Sequence, residues 1–303
     1  MPIQLKEFRK TLTYTAKSTV TSVMADLQEI KEIDQLAEQQ QQKYGKQALK
    51  YFLGAIASFF IIFILTSLNV DRGFLRLVCF LMLLSGSGLI IACIYALVKR
   101  ASFGRINILN HRYEVIQWLV QMLARDMTEA SEIEFKISFQ PTVSQETKVE
   151  TVPHPSKPEW KIDKHQHEWL KLQGQFLDKT RFLLTATELS KTQYGWKRSR
   201  SGKSKYKSKT NAVGLDVFLT LNYPQRRYGA VKILQNDVKS AVKLPNLSYM
   251  KGLKVTEKAM HLNVRIAPQV ADNSAEIYQT ITMMFLSLYQ VLNLAKVLSK
   301  KSR

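Results

Sequence analysis

Cysteine is almost missing from this chain. Its two, Cys79 and Cys93, both lie in uncharged apolar runs, which excludes a disulfide framework and points to a reducing compartment for the folded part. The usual signatures of catalysis are missing too: no Gly-x-Ser-x-Gly elbow, HExxH helix, kinase motif set or dinucleotide glycine pattern occurs. No catalytic residue is assigned, no cofactor is expected, and the reading leans away from an enzyme. The first 50 residues are too polar to supply the apolar stretch of a cleavable signal peptide, so none is expected. Acidic residues are scarce beside basic ones: 24 Asp and Glu against 44 Lys and Arg leave a net charge of +20 on 303 residues.

Charge is wholly absent from two stretches, residues 51–70 and 77–98. Each is about 20 residues long, the length that crosses a hydrocarbon core of about 30 Å at 1.5 Å per residue. With only DRGFLR between them, they are expected to form a transmembrane helical hairpin over 48–98. Lys43, Lys46, Lys50, Lys99, Arg100, Arg105 and Arg112 flank the outer ends, whereas the connector has Arg72 and Arg76 beside Asp71. The positive-inside bias then places both termini in the cytoplasm, with a bacterial inner membrane as the expected location. Neither span contains an ionisable residue, which argues against a transporter made from one copy. Small residues such as Gly54, Ser58, Gly86 and Gly88 allow close packing within the hairpin or a homo-oligomer through it.

The remaining segments read as α+β. Residues 1–47 are expected to be a cytoplasmic amphipathic helix, from Val20, Val23, Leu27, Ile30 and Ala37 at three-four spacing, with Asp34 interrupting the seam. Residues 99–303 are expected to be a cytoplasmic domain with a mainly antiparallel sheet. It opens with a helix over 110–127 and continues with the alternating strand EIEFKISF from Glu132. The proline-rich segment 141–160 reads as a mobile linker or long loop. WLKLQGQF is expected to pair with RFLLTATEL through a turn at Asp178 and Lys179, while AVKIL and MHLNVRI supply further strands. Asn273 three residues before Glu276 starts a C-terminal helix from Ser274 to about Leu298, expected to cover the sheet rather than span the bilayer.

The densest positive charge is KRSRSGKSKYKSK, residues 197–209. If Ser201 and Gly202 form a two-residue turn, residues whose numbers sum to 403 face each other, so Phe182 meets Leu221, Leu184 meets Leu219 and Ala186 meets Val217 on one face. This defines a long hairpin over about 181–222 with an apolar base and a basic tip. The same register sets Arg200 opposite Lys203, Arg198 opposite Lys205, Trp196 opposite Lys207 and Tyr194 opposite Lys209. A phosphate loop is excluded, because Lys197 stands where the pattern needs glycine and strand follows strand.

The candidate anion-binding residues are therefore Tyr194, Trp196, Lys197, Arg198, Arg200, Lys203, Lys205, Lys207 and Lys209, joined by Arg226 and Arg227 if the fold brings them near. The leading function is a non-enzymatic membrane protein whose basic domain docks an anionic partner: nucleic acid, anionic lipid headgroups or an acidic protein. Two alternatives are an oligomeric membrane effector or channel gated by its cytoplasmic domain, and a membrane-tethered metal-dependent enzyme. No metal is assigned, and the only weak ligand candidates are His165 and His167, which read more simply as exposed polar residues at the end of a linker.

Overall fold

The computed structural model describes residues 8, 10–67, 72–104, 108–199, 201–232, 234 and 238–301. The chain is α+β and forms two compact units, one from the N-terminal residues up to Leu27 together with Leu109 onwards, the other Gln28–Ile108. Among the described residues, three helices are long and apolar enough to cross a membrane, over Val20–Thr66, Leu77–Gly104 and Ser274–Ser299.

The second unit holds α1 (Val20–Ser67) from Gln28 onwards and the whole of α2 (Arg72–Gly104), which lie against each other. The Tyr44 and Phe103 rings stack at 5.8 Å, the Cys93 thiol donates to the Ala48 carbonyl, and Phe59 and Ser58 close on Gly86. Small residues thus sit where the helices meet, while Phe60, Phe63, Phe80, Leu84 and Ile91 point outward and are exposed. Asp34 does not break the helix. It is buried, and its carboxylate accepts the Ile108 backbone N–H at 2.9 Å. The expected connector cations Arg72 and Arg76, with Asp71, and also Arg105, have no described side chains.

The first unit is built on an eight-stranded sheet in the order β1-β2-β4-β5-β6-β8-β7, with β3 also paired to β4. The strands are β1 (Thr13–Thr19), β2 (Glu132–Ser138), β3 (Lys148–Pro153), β4 (Lys161–Gln175), β5 (Arg181–Arg198), β6 (Ser204–Asn222), β7 (Ser248–Val255) and β8 (Ala259–Ile266). Every pair is antiparallel among the described residues. One face carries Ile133, Phe135, Ile137, Leu172, Leu184, Leu219 and Val264, all buried. On this side lie α3 (Asn110–Ala124) and α6 (Ser274–Lys301), which pack on each other. Ile116, Leu119 and Val120 of α3 and Ile277, Ile281, Met284, Leu288 and Leu292 of α6 are the buried stripes that period 3.6 requires. Asn273 caps α6 through its Oδ1, which accepts the N–H groups of Ala275 and Glu276. Two short helices, α4 (Gln225–Tyr228) and α5 (Val238–Ala241), and a 3-10 turn at Gly229–Lys232 also pack on α6.

Several expectations are corrected. Residues 13–19 are a strand rather than helix; Thr13, Thr15 and Thr19 supply the β-branched side chains that favour it. The segment 141–160 is not a plain linker, because β3 forms within it as an edge strand that ends on Pro153, a place where proline costs no ladder bond. AVKIL is no strand; residues 229–232 form the 3-10 turn instead.

The long hairpin obeys the 403 sum at its base, from Arg181 opposite Asn222 to Leu189 opposite Gly214. Beyond that point the register moves by one, so Trp196 faces Tyr206, Tyr194 faces Ser208, Lys197 faces Lys205 and Arg198 faces Ser204. Two local features replace the expected two-residue turn. At the tip the Ser199 N–H bonds the Lys203 carbonyl and the Gly202 N–H bonds the Ser199 carbonyl, with Gly202 at φ +78. That is a three-residue loop closed by a left-handed glycine. In mid-strand a bulge with Gly214 at φ +130 takes up one extra residue in β6 and restores the original sum below it.

Gly214 has no room for a side chain, since a Cβ there would stand 2.5 Å from the Ile266 carbonyl oxygen, whereas one on Gly202 would meet nothing within 4 Å. Gly214→Ala is expected to destabilise the sheet by at least about 2 kcal/mol and Gly202→Ala by about 1 kcal/mol. Urea unfolding of the full chain in detergent checks the order; equal losses would contradict the bulge.

Candidate functional site

The register shift sorts the ribbon beyond Gly214 into two unlike faces. Side chains alternate along a strand and paired residues share a face. Lys191, Lys197, Lys205, Lys207 and Lys209 therefore project on one side, and Tyr194, Trp196 and Tyr206 on the other. All five lysines are exposed, and none makes an ion pair among the described residues. The aromatic face has internal contacts: Trp196 meets Tyr206 edge to face at 5.7 Å, and the Tyr194 hydroxyl donates to Asp163 at 3.2 Å. Trp196 remains 60% exposed.

The lysine face has one aromatic of its own. Trp160 lies against Gly195, where a Cβ would come within 2.6 Å of the ring. Its indole N–H donates to the Trp196 carbonyl at 3.0 Å, and the Lys157 ammonium sits 4.4 Å from its ring centroid. Absence of a side chain at Gly195 thus lets Trp160 brace the ribbon, a role invisible in local sequence.

Of the proposed anion-binding residues, Lys197, Lys205, Lys207 and Lys209 converge, while Arg198 falls on the side of Trp196. Lys203 lies beside the turn, and Arg200 is outside the described residues. Arg226 and Arg227 do not join them: Arg227 stands over the ring of Tyr228, whose hydroxyl bonds Asp178 beside the start of β5. The 18 residues of β5 put that end about 55 Å from the tip.

A second polar cluster lies on the covered face. Arg112, expected to flank the membrane, is instead fully buried at the start of α3. Its guanidinium donates to the carbonyls of Ser138 and Gln140 at 2.8 and 2.9 Å and to Glu188 Oε2 at 2.7 Å, and it lies over the Trp169 ring. Thr142 donates to the same Glu188 oxygen. Burial alone would raise the Glu188 carboxyl, but His111, Arg112 and Thr142 outweigh it and hold it down at about 2.

His165 and His167 are buried here rather than exposed. The cause is a bulge at Trp169 in β4, which moves the preceding residues to the opposite face from the one that simple alternation assigns. His167 Nε2 lies 3.0 Å from Ser138 Oγ, and His165 Nδ1 lies 3.3 Å from Thr147 Oγ1. Burial, reinforced by Arg112, pushes His167 down to about 4, so it is neutral at pH 7. The two imidazoles therefore serve as hydrogen-bonded core groups. The described ligand-type side chains that do converge are those of His111, Glu188 and Asp272, within 4.8 Å of one another.

A cavity of about 420 Å³ opens between α3, α4 and α6, lined by Phe176, Phe285, Tyr289, Asp126, Asp178 and Arg227 among others. Comparison with protein-family models, with curated proteins and with solved structures gives no match.

Removing one partner of a buried ion pair strands the other's charge. Arg112→Met is expected to cost about 3–5 kcal/mol, and adding Glu188→Met to recover most of it. A double-mutant cycle by urea unfolding, read from tryptophan fluorescence, checks this; additive losses would contradict the coupling.

Proposed function

We propose that the chain is a two-span integral membrane protein whose sheet domain docks the phosphate backbone of a nucleic acid through the lysine face of the β5–β6 ribbon. Membrane anchoring rests on α1 and α2, whose most apolar windows are only 17% and 11% buried, against 44% for α6. The inward stripe of α6 belongs to the core of the sheet domain, so α6 serves as a covering helix. Lys43, Lys46, Lys50, Lys99 and Arg100 flank the outer ends of the two spans and favour a cytoplasmic sheet domain.

The observation that carries the docking is the gathering of Lys191, Lys197, Lys205, Lys207 and Lys209 on one face of the ribbon, all exposed and without an ion pair among the described residues. A phosphate backbone needs only the cations. Two strands about 4.8 Å apart, with their side chains, match a major groove about 12 Å wide, which admits a two-stranded ribbon. Alternate lysines on β6 recur about every 6.7 Å and face an anion line dense enough to engage all of them. Like charges across the pair, Lys197 opposite Lys205, are relieved by such a partner.

Lysines on an unpaired edge also prevent edge-to-edge strand association, and β6 before Leu215 is such an edge. That role alone predicts a neutralised variant that self-associates yet still binds nucleic acid.

The test is binding of a mixed-sequence duplex to the full chain in phosphatidylcholine nanodiscs across a salt series. Neutralising Lys205, Lys207 and Lys209 is expected to weaken binding at least about tenfold and to flatten the salt slope by about 2–3, while Trp196→Ala changes affinity less than about threefold. Displacement of the duplex by anionic vesicles, together with a larger loss in Trp196→Ala, would instead support a lipid headgroup clamp.

A further inference from the structure

We infer that His111, Glu188 and Asp272 form a site for one divalent transition-metal ion of the zinc type. The three sit on separate elements: His111 on the first turn of α3, Glu188 in the middle of β5, and Asp272 in the loop just before α6. Sequence spacing therefore gives no metal motif, and only the packing of α3 and α6 on the sheet brings the ligand atoms within 4.8 Å of one another.

The stronger observation is an unmet valence. His111 Nε2 and Glu188 Oε1 are both buried from solvent and have no hydrogen-bond partner apart from their own distant contact, in side chains that are only 10% and 11% exposed. Buried polar atoms so weakly satisfied are costly to the fold. They face each other at 3.5 Å, long for a charge-assisted hydrogen bond. It is close to the edge of about 3.4 Å that two ligands of a tetrahedral ion span at metal–ligand distances of about 2.1 Å.

The surroundings are those of a coordinating carboxylate. Arg112 and Thr142 both occupy Glu188 Oε2, which orients the carboxylate and leaves Oε1 for the ion. Glu188 and Asp272 bring two negative charges against the one positive charge of Arg112. That balance favours a dication despite the partial positive charge at the start of α3. An imidazole with two carboxylates selects a zinc-like ion over calcium or magnesium, which prefer all-oxygen shells. Three protein ligands leave a fourth position, and Asp272 is exposed, so that position opens to solvent and accepts water or an anionic oxygen. The site is independent of the ribbon and of what the ribbon docks.

The experiment is isothermal titration of Zn²⁺ into the untagged full chain in detergent, stripped with chelator, in a non-coordinating buffer. One ion per chain is expected. His111→Ala and Asp272→Asn are each expected to weaken binding at least about tenfold, while His154→Ala, at a half-buried histidine just after β3 and away from the site, leaves it unchanged. Asp272→Asn, being at the surface, is expected to leave the metal-free melting temperature unaltered, which separates ligand loss from misfolding. Absence of stoichiometric uptake, or uptake insensitive to either His111→Ala or Asp272→Asn, would overturn the site.

Discussion

The pairing of β5 with β6 runs through the middle of the sheet, and the Gly214 bulge decides what each half of that pair faces. Below the bulge, Phe182, Leu184 and Ala186 share a face with Leu221, Leu219 and Val217 and are buried. Above it, the one-residue shift places lysines opposite lysine, glycine and glutamine on one side and keeps Trp196 against Tyr206 on the other. An uninterrupted ladder would have mixed the two, with each aromatic opposite a lysine. A single left-handed glycine held against the Ile266 carbonyl thus converts one hairpin into a structural half and a ribbon with two chemically distinct sides.

The same kind of device operates in β4. There the bulge at Trp169 turns His165 and His167 inward and brings their rings to Thr147 and Ser138. Next to them Arg112 ties the start of α3 to β2 and β5 through Ser138, Gln140 and Glu188. The covered face is therefore apolar under most of α6 and polar where α3 begins. In the proposed reading the polar end holds a metal ion, and the ribbon of the same sheet docks phosphates.

Where a pattern repeats, the sequence was legible. The two uncharged runs are legible from their length and lack of charge, the start of α6 from the spacing of Asn273 and Glu276, and the base of the hairpin from period two, and each recurs in the structure as a helix, a cap or a register. What escaped depends on single residues that break a period. Gly214 and Trp169 each shift a strand by one, and period-two reasoning carries straight across both. Arg112 looked like one more flanking cation because nothing local announces that Glu188, far along the chain, will meet it. The same holds for His111, whereas His165 and His167 are conspicuous only because they are close in sequence. The strand at Thr13–Thr19 is masked in the sequence by the helical apolar spacing that begins at Val20, directly after this threonine-rich stretch.

The central claim is that one face of the ribbon, and not the other, meets the anionic partner. Its most direct measurement is a cysteine scan of positions 205 to 209 in a background lacking Cys79 and Cys93, with thiol labelling rates compared with and without bound duplex. The account predicts protection that alternates, strong at 205, 207 and 209 and weak at 206 and 208. Uniform protection, or protection confined to 206 and 208, would contradict it.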